Sequence, residues 1–527
     1  MGGNKLILFV HTVKYLKLKQ IYYQLYYMVR NRFFKKENYA KLAHQEIQPL
    51  EWKDVFLYQD SFYGHKNFEF LNIQYQFTET IDWNYAEFGK LWTYNLNYFD
   101  FLNQEKITKE EGLGLIKNYL KNKVVLKDGK EPYPISLRGI NWIKFLSKNK
   151  IFDSETNQVL YNHHQILFHG LEYHLLGNHL LENAYALFFG GYYFKDEALF
   201  LKAKQILKEE LTEQIMKDGA HFELSPMYHQ ILLHRLLDCI QLSQLNSWKH
   251  NDLLPFLIER ASKMLSWLQA ITYNNGSVPM VNDSAHKIAP KSSQLFKYAK
   301  DLNLVWEKSE LSDSGYRMFK KDDFQLFVDV GNVGPDYQPG HAHSDTFNFE
   351  LYVKDNPVIV DTGISTYEKN EIRQNERETA SHNTVKIKNQ EQTQVWGGFK
   401  VANRAKIVSL VDGDNEVRAT HDGYKNLGIL HTRNFVIEPS CIIIEDFLDK
   451  EINQEQVAYF HFHPNVKNIE IKENKVKLLN ENIKIQFNSI LKIQLQNYEY
   501  AQGFNRTIKS QKIAVFFNKT LQTQIYL

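Results

Sequence analysis

Near Ser312 the chain changes its hydrophobic period, and that switch constrains the fold more than any other feature of the sequence. Ahead of it apolar residues recur at helical spacing. Phe88, Leu91, Trp92 and Leu96 begin the pattern. It continues around 107–123, 140–148, 155–177, 180–194, 196–216, 225–244, 252–273 and 291–302. Short polar or Gly-containing loops join these segments, so they read as antiparallel helical hairpins. Such hairpins can build a bundle, a solenoid or a ring of helix pairs, and no fixed-period repeat decides among them. Beyond Ser312 short runs alternate polar and apolar, as in Phe324–Val330, Ala405–Leu410, Cys441–Asp446, Val457–His463 and Lys512–Phe517. Many short strands separated by turn residues predict an antiparallel sandwich. Helices followed by strands predict an α+β multidomain chain with a ligand cleft between its halves. The expected segments are a basic aromatic extension at 1–60, a helical domain at 61–311 and a β-domain at 312–527.

Composition narrows the partners. Lys+Arg is 63 against Asp+Glu 61, so global charge points to neither nucleic acid nor membrane. An anionic ligand has to be met by a local basic or polar cleft. The aromatic share of 14% suits sugar-stacking surfaces in a long groove as well as core packing. The 2 Cys, Cys239 and Cys441, lie far apart, so a disulfide framework is not part of the design. Leu6–Val10 is apolar, but it is too short for a signal-peptide core and no small-residue cleavage site follows. A cytoplasmic location is the expectation on that ground. No apolar run is long enough to span a bilayer. Ile21–Phe34 reads as a basic, aromatic helix that either packs on the body or makes peripheral contact with a membrane surface, and packing is the plainer expectation.

The densest chemistry runs from Gly340-His341-Ala342-His343-Ser344-Asp345 to Ser381-His382-Asn383-Thr384. Two histidines separated by one residue project to the same side of a β-strand, because strand side chains alternate faces. Thr346–Val353 alternates as a half-buried strand does, and Pro357–Gly363 reads as a short buried strand ending in Asp361 and a turn glycine. Three adjacent strands can then bring His341, His343, Asp361 and His382 together. Nitrogen and carboxylate donors in that mix suit zinc or another first-row divalent metal, against the plainer alternative of a metal-free polar cluster.

Three polar stretches interrupt the helical half. In Gly177–Asn183, His179 and Glu182 stand three apart and share a helix face, while Asn178 suits an N-cap. In Glu223–Gln230, Ser225-Pro226 signals a helix start and places Tyr228 in an early turn. Met280–Ser284 is a polar loop between helices.

Together these motifs resemble the heparinase II/III-like superfamily of polysaccharide lyases. The resemblance rests on Asn-His-x-x-Glu (178–182), Ser-Pro-x-Tyr-His (225–229), Asn-Asp-Ser (282–284), His-Ala-His-x-Asp (341–345), Val-Asp-x-Gly (360–363) and Arg377–Thr384, in that order. It implies an incomplete (α/α) toroid followed by an antiparallel β-sandwich. It implies that Asn178 and His179 neutralise a uronate carboxylate, that Tyr228 is the catalytic tyrosine, and that His341 faces the substrate. It implies a structural Zn2+ held by His343, Asp361 and His382. Glu182, Arg138, Tyr367 and Arg377 are expected to line the substrate cleft. The extension, together with Leu91–Leu96 and Tyr133–Arg138, resembles a branch associated with bacterial surface-polysaccharide clusters.

The chemistry implied is β-elimination from an acidic polysaccharide. Removing a uronate C5 proton leaves charge spread onto the carboxylate, and donors beside that carboxylate favour it. A uronate C5-epimerase shares the proton abstraction and remains open. So does a non-catalytic polysaccharide-binding or assembly protein on the same scaffold.

Overall fold

The computed structural model describes residues 2–33, 42, 47–56, 58–122 and 126–527. Two helices open the chain, α1 (Gly2–Val13) and α2 (Leu18–Phe33). Phe34, the last residue of the expected aromatic helix, lies outside the described residues. A small hairpin, Asn67–Phe70 with Ile73–Gln76, follows.

The helical domain then runs α3 (Lys90–Tyr98), α4 (Lys109–Asn122), α5 (Pro132–Lys148), α6 (Ser154–His169), α7 (Gly177–Phe194), α8 (Glu197–Gln214), α9 (Pro226–Leu245), α10 (His250–Ile271) and α11 (Ser292–Asp301). Local chemistry sets several of these boundaries. Asp153 caps α6 by accepting from Thr156 N at 2.8 Å, and Ser225 Oγ caps α9 by accepting from Tyr228 N at 3.3 Å. α5 starts eight residues earlier than its apolar period implies, because Pro132 and Pro134 fit a first turn whose N–H groups need no partners. α6 stops at His169, short of the expected 177, where Gly170 and a tight turn intervene. α7 packs on α5, α8 and α9, and α9 packs on α10, giving the paired helices of an incomplete (α/α) toroid. One continuous apolar core fills it, with Trp92, Trp142 and Trp267 fully buried.

The β-domain is an antiparallel sandwich. Tyr316–Lys320, Phe324–Asp329, Phe349–Val353 and Asn356–Ile359 form a four-stranded sheet in sequence order. The facing ten-stranded sheet is built around two 21-residue strands, Ile483–Gly503 and Arg506–Tyr526. Phe349 and Leu351 of the small sheet share a core with Phe435, Ile444, Phe460 and Val515 of the large one.

Ser312 lies between the last helix of the helical region, Ser292–Asp301, and the first strand of the sandwich, Tyr316–Lys320. The Asp218 carboxylate, from the helical domain, accepts from Ser312 N at 3.1 Å and from Ser314 N at 2.9 Å. Tyr273 stacks on Tyr352 at 3.8 Å and donates to Glu350 at 2.9 Å, so the two domains are locked by buried contacts.

One local expectation is corrected here. His341 and His343 do not lie on a strand; the strand begins at Phe349, and 340–348 is an irregular loop. Phe347 takes φ 71°, a left-handed conformation that a strand does not allow, and its turn breaks the alternation seen in the sequence.

Candidate active site

Between the domains opens a cleft of about 2250 Å³, lined by Tyr133, Asn178, His179, Tyr228, His341 and Tyr367 among others. That volume accommodates several sugar rings, being larger than pockets for single small molecules.

α7 delivers Asn178 and His179 in its first turn. Gly177 precedes them at φ 57°, and a Cβ there would stand 2.6 Å from Glu223 Oε1. Glycine at this position therefore lets the Glu223 carboxylate reach Asn178, accepting from its backbone N at 3.0 Å and its Nδ2 at 3.3 Å. His179 Nδ1 pairs with Glu172 Oε1 at 3.1 Å. Burial works against the charged imidazole, but the Glu172 carboxylate outweighs it and raises the His179 pKa. The pair thus favours the charged form of His179 beside Asn178.

α9 delivers Tyr228, whose ring lies 4.0 Å from that of His341 at 31°. Its hydroxyl bonds the Tyr367 hydroxyl at 3.1 Å. Burial raises the Tyr228 pKa, so it enters the cleft as a protonated phenol.

The 340s loop delivers His341, and Asp283 fixes it. His341 Nδ1 is 2.9 Å from Asp283 Oδ2, while His341 Nε2 faces Asn178 Nδ2 at 3.4 Å and Glu223 Oε2 at 3.5 Å. An ionised carboxylate only accepts, so Nδ1 donates to Asp283 and Nε2 is the nitrogen turned toward Asn178. Burial acts to raise the Asp283 pKa, but the Arg373 guanidinium, bidentate at 2.5 and 2.6 Å, holds it well below the usual carboxylate range.

The same carboxylate reaches a second histidine: His343 Nε2 stands 2.9 Å from Asp283 Oδ1. Burial pushes His343 down to about 3, leaving a neutral ring. Its Nδ1 is buried without a hydrogen-bond partner. On the far side, His382 Nδ1 pairs with Asp361 Oδ2 at 2.8 Å, and His382 Nε2 is likewise buried and unpartnered. The two rings are 5.3 Å apart. Among the described residues no three His, Cys, Asp or Glu side chains stand together at metal-binding geometry. The donor chemistry nevertheless fits a divalent metal. Each histidine has a carboxylate on one nitrogen and a bare nitrogen on the other, the pattern by which outer carboxylates orient metal-bound imidazoles.

The sequence-predicted residues thus divide. Asn178, His179, Tyr228, His341 and Tyr367 come together on the cleft wall. His343, Asp361 and His382 sit behind it, fully buried. His341 does not join them; it turns to Asn178 and Tyr228. Asp361 accepts from His382, from Asn348 Nδ2 at 2.6 Å and from Gly363 N at 3.0 Å.

Three residues expected to line the cleft do not. Arg138 is fully buried and donates to the carbonyls of Asn97 and Gly129 at 3.1 and 2.9 Å. Arg377 is fully buried and ties Ala342 O to Gly398 O, so it shapes the loop carrying His341 and His343. Glu182 lies one turn below Asn178, behind the cleft, with Arg235 Nε 3.5 Å away. Arg138 and Arg377 spend their donors on backbone carbonyls, whereas the buried Glu182 oxygens accept no hydrogen bond.

Three residues with no role assigned from sequence prove central: Glu223, Asp283 and Arg373. Glu223 and Asp283 stand inside the motif stretches 223–230 and 280–284. Arg373 carried only a weaker signal, its position one helical turn ahead of Arg377 in Glu371–Glu376.

The chain is similar to known proteins over most of its length. The family described as heparinase II/III N-terminus matches residues 135–311, and heparinase II/III-like, C-terminal matches residues 304–526. A heparin-sulfate lyase of Bacteroides stercoris is 25% identical over 320 residues, covering 55% of this chain and 46% of that protein. A heparin-sulfate lyase of Pedobacter heparinus is 26% identical over 317 residues, covering 54% and 46%. The chain thus matches under half the length of these curated relatives. A crystal structure of heparinase III superposes with a TM-score of 0.67 at 16% identity, covering 96% of this chain and 91% of the other, which establishes likeness of fold.

Proposed function

The chain belongs to the heparinase II/III-like superfamily, and from that premise we propose that it cleaves a uronic-acid-containing acidic polysaccharide by β-elimination. The observation that carries this is the triangle of Asn178, Tyr228 and His341. The His341 ring stands 4.0 Å from Tyr228, and its Nε2 is 3.4 Å from Asn178 Nδ2.

Asn178 Nδ2 and the His179 imidazolium would meet the uronate carboxylate and stabilise charge as it develops there. His341 Nε2, its lone pair fixed by Asp283, would take the C5 proton. The C4–O bond then breaks, a C4–C5 double bond forms, and the leaving oxygen takes a proton from the Tyr228 hydroxyl, which burial keeps protonated. Tyr367 holds that hydroxyl in place through its 3.1 Å bond. The bare nitrogens of His343 and His382 would hold a zinc ion, with Asp361, expected from sequence as a third ligand, instead orienting His382 from behind; the ion's contribution when bound is to brace the β-domain beneath His341. The two curated relatives named heparin-sulfate lyase support an acidic glycan as substrate class.

Incubation with uronate-containing polymers should produce an ultraviolet-absorbing unsaturated sugar at the new non-reducing end. Solvent deuterium appearing at C5 without chain cleavage would replace the lyase with an epimerase. Glycan binding without either product would reduce the chain to a binding protein.

A further inference from the structure

Helix α2 has two unlike faces. Gln20, Tyr23, Tyr27 and Arg30 dock it on the helical domain. Gln20 Nε2 donates to Leu175 O at 3.2 Å, Tyr23 stacks on Tyr173 at 4.6 Å, and the Tyr27 hydroxyl donates to Leu171 O at 2.5 Å. Arg30 donates to His169 O. The opposite face carries Leu18, Tyr22, Leu25, Val29 and Phe33, which fall within about 80° of arc at 100° per residue. Leu18 is 84% exposed, Leu25 56% and Phe33 68%. Val10 of α1 is also exposed, while Phe9 of that helix lines the cleft. A docked amphipathic helix ordinarily turns its apolar stripe inward; this one turns it to solvent. Single exposed apolar residues are commonplace, but a contiguous stripe marks an interaction surface.

The charge around the stripe selects the partner. Residues 1–36 contain eight Lys or Arg and no Asp or Glu. Lys17 and Lys19 meet Glu213 and Glu209 of the helical domain, whereas Lys14 and Arg32 are exposed. A basic helix with an outward apolar and aromatic face has the chemistry of an interfacial helix on anionic lipid. Two copies pressed together through this face would bring like charges into contact. The 16 residues of α2 span about 24 Å, and among the described residues no helix is long and apolar enough to cross a membrane.

We infer that α1 and α2 form a docking surface for an anionic lipid bilayer, the apolar stripe entering the headgroup boundary with Lys14 and Arg32 against lipid phosphates. Gln20, Ile21 and Gln24 of the same helix line the cleft. Docking would therefore hold one end of the cleft beside the lipid, where a membrane-proximal acidic glycan is met.

The test is co-sedimentation of the full chain with phosphatidylcholine vesicles, with and without about a third phosphatidylglycerol. Binding to the anionic vesicles should exceed that to neutral ones roughly tenfold and fall in high salt. The double variant Leu25→Glu, Val29→Glu should lose that binding while keeping its thermal transition and its turnover of soluble glycan, since neither side chain lines the cleft. Equal pelleting by the variant, or no pelleting with either vesicle, overturns the inference. So does a concentration-dependent dimer that the variant abolishes, which would assign the stripe to a second copy. Lyase activity is a separate readout, so failure here leaves the catalytic proposal standing.

Discussion

One carboxylate, Asp283, orients His341: its Oδ2 lies 2.9 Å from His341 Nδ1, while its Oδ1 takes His343 Nε2 at the same distance. The Arg373 guanidinium closes the arrangement from behind. The histidine facing substrate and the histidine behind the wall are thereby registered to each other through a loop of the helical domain. Asp283→Asn should retain much of the shape but lose the acceptor that fixes the His341 tautomer. Turnover should fall by about two to four orders of magnitude, the scale seen when a catalytic histidine loses its orienting carboxylate. Stability should fall too, by roughly 3–5 kcal/mol, because Arg373 would be left as a buried unpaired charge. Pairing Asp283→Asn with Arg373→Met should restore part of the melting temperature and none of the turnover. Equal recovery of both would make Asp283 purely structural.

Tyr228→Phe should keep fold and ligand affinity while lowering turnover by about 10²- to 10⁴-fold. The ring would still pack against His341, and only the proton donor would be lost. Tyr367→Phe removes the hydroxyl that positions the donor, so its effect should be smaller and confined to kcat. Single-turnover rates on a uronate polymer separate the two. A larger loss in Tyr367→Phe would exchange their roles.

How much of this was legible beforehand depended on what each residue's signal encoded. The period switch near Ser312 encoded the change from helices to antiparallel sheets because burial itself follows 3.6-residue and 2-residue repeats. Asn178 and Tyr228 were legible because each sits in an unusual polar stretch opening an otherwise apolar helix, and His341 because its polar stretch precedes an alternating strand. The strand expected at His341-Ala342-His343 failed because alternation cannot register a single left-handed residue, here Phe347. Arg138 and Arg377 misled for a different reason. A guanidinium in a candidate groove looks the same in sequence whether it faces substrate or backbone carbonyls, and only the fold supplies Asn97 O, Gly129 O, Ala342 O and Gly398 O. Arg373 illustrates the converse: its partner Asp283 is 90 residues away, so no local pattern announces the pair.

The bare nitrogens of His343 and His382 give the zinc proposal a readout independent of turnover. His343→Ala and His382→Ala should each lower metal content of the purified protein, together with the thermal transition of the β-domain. His341→Ala should retain the metal, because its nitrogens face Asp283 and the Asn178 side of the cleft. Elemental analysis of the three variants decides. Full metal in His343→Ala with loss in His341→Ala would reverse the two assignments.

The His179–Glu172 pair makes a prediction about pH. The His179 pKa is raised: burial opposes its charge, and Glu172 more than compensates. A histidine raised in the folded state contributes stability that is full below its unfolded value near 6.5 and lost as pH climbs through the higher folded value. The Glu172 pKa is lowered: burial acts to raise it, and His179 outweighs this. Its contribution is present above its unfolded value near 4.5 and lost as pH falls through the lower folded value. The pair is therefore worth most between about pH 4.5 and 6.5. A double-mutant cycle with His179→Gln and Glu172→Gln should give a coupling of about 1–2 kcal/mol at pH 5.5, shrinking as pH climbs through the raised His179 value. Over the same range KM for an acidic polymer should rise in the wild type while His179→Gln stays flat, since the imidazole beside Asn178 is what titrates. A coupling that held constant as pH climbed, with parallel KM profiles, would mean that His179 is neutral throughout and contacts substrate only as a hydrogen-bond donor.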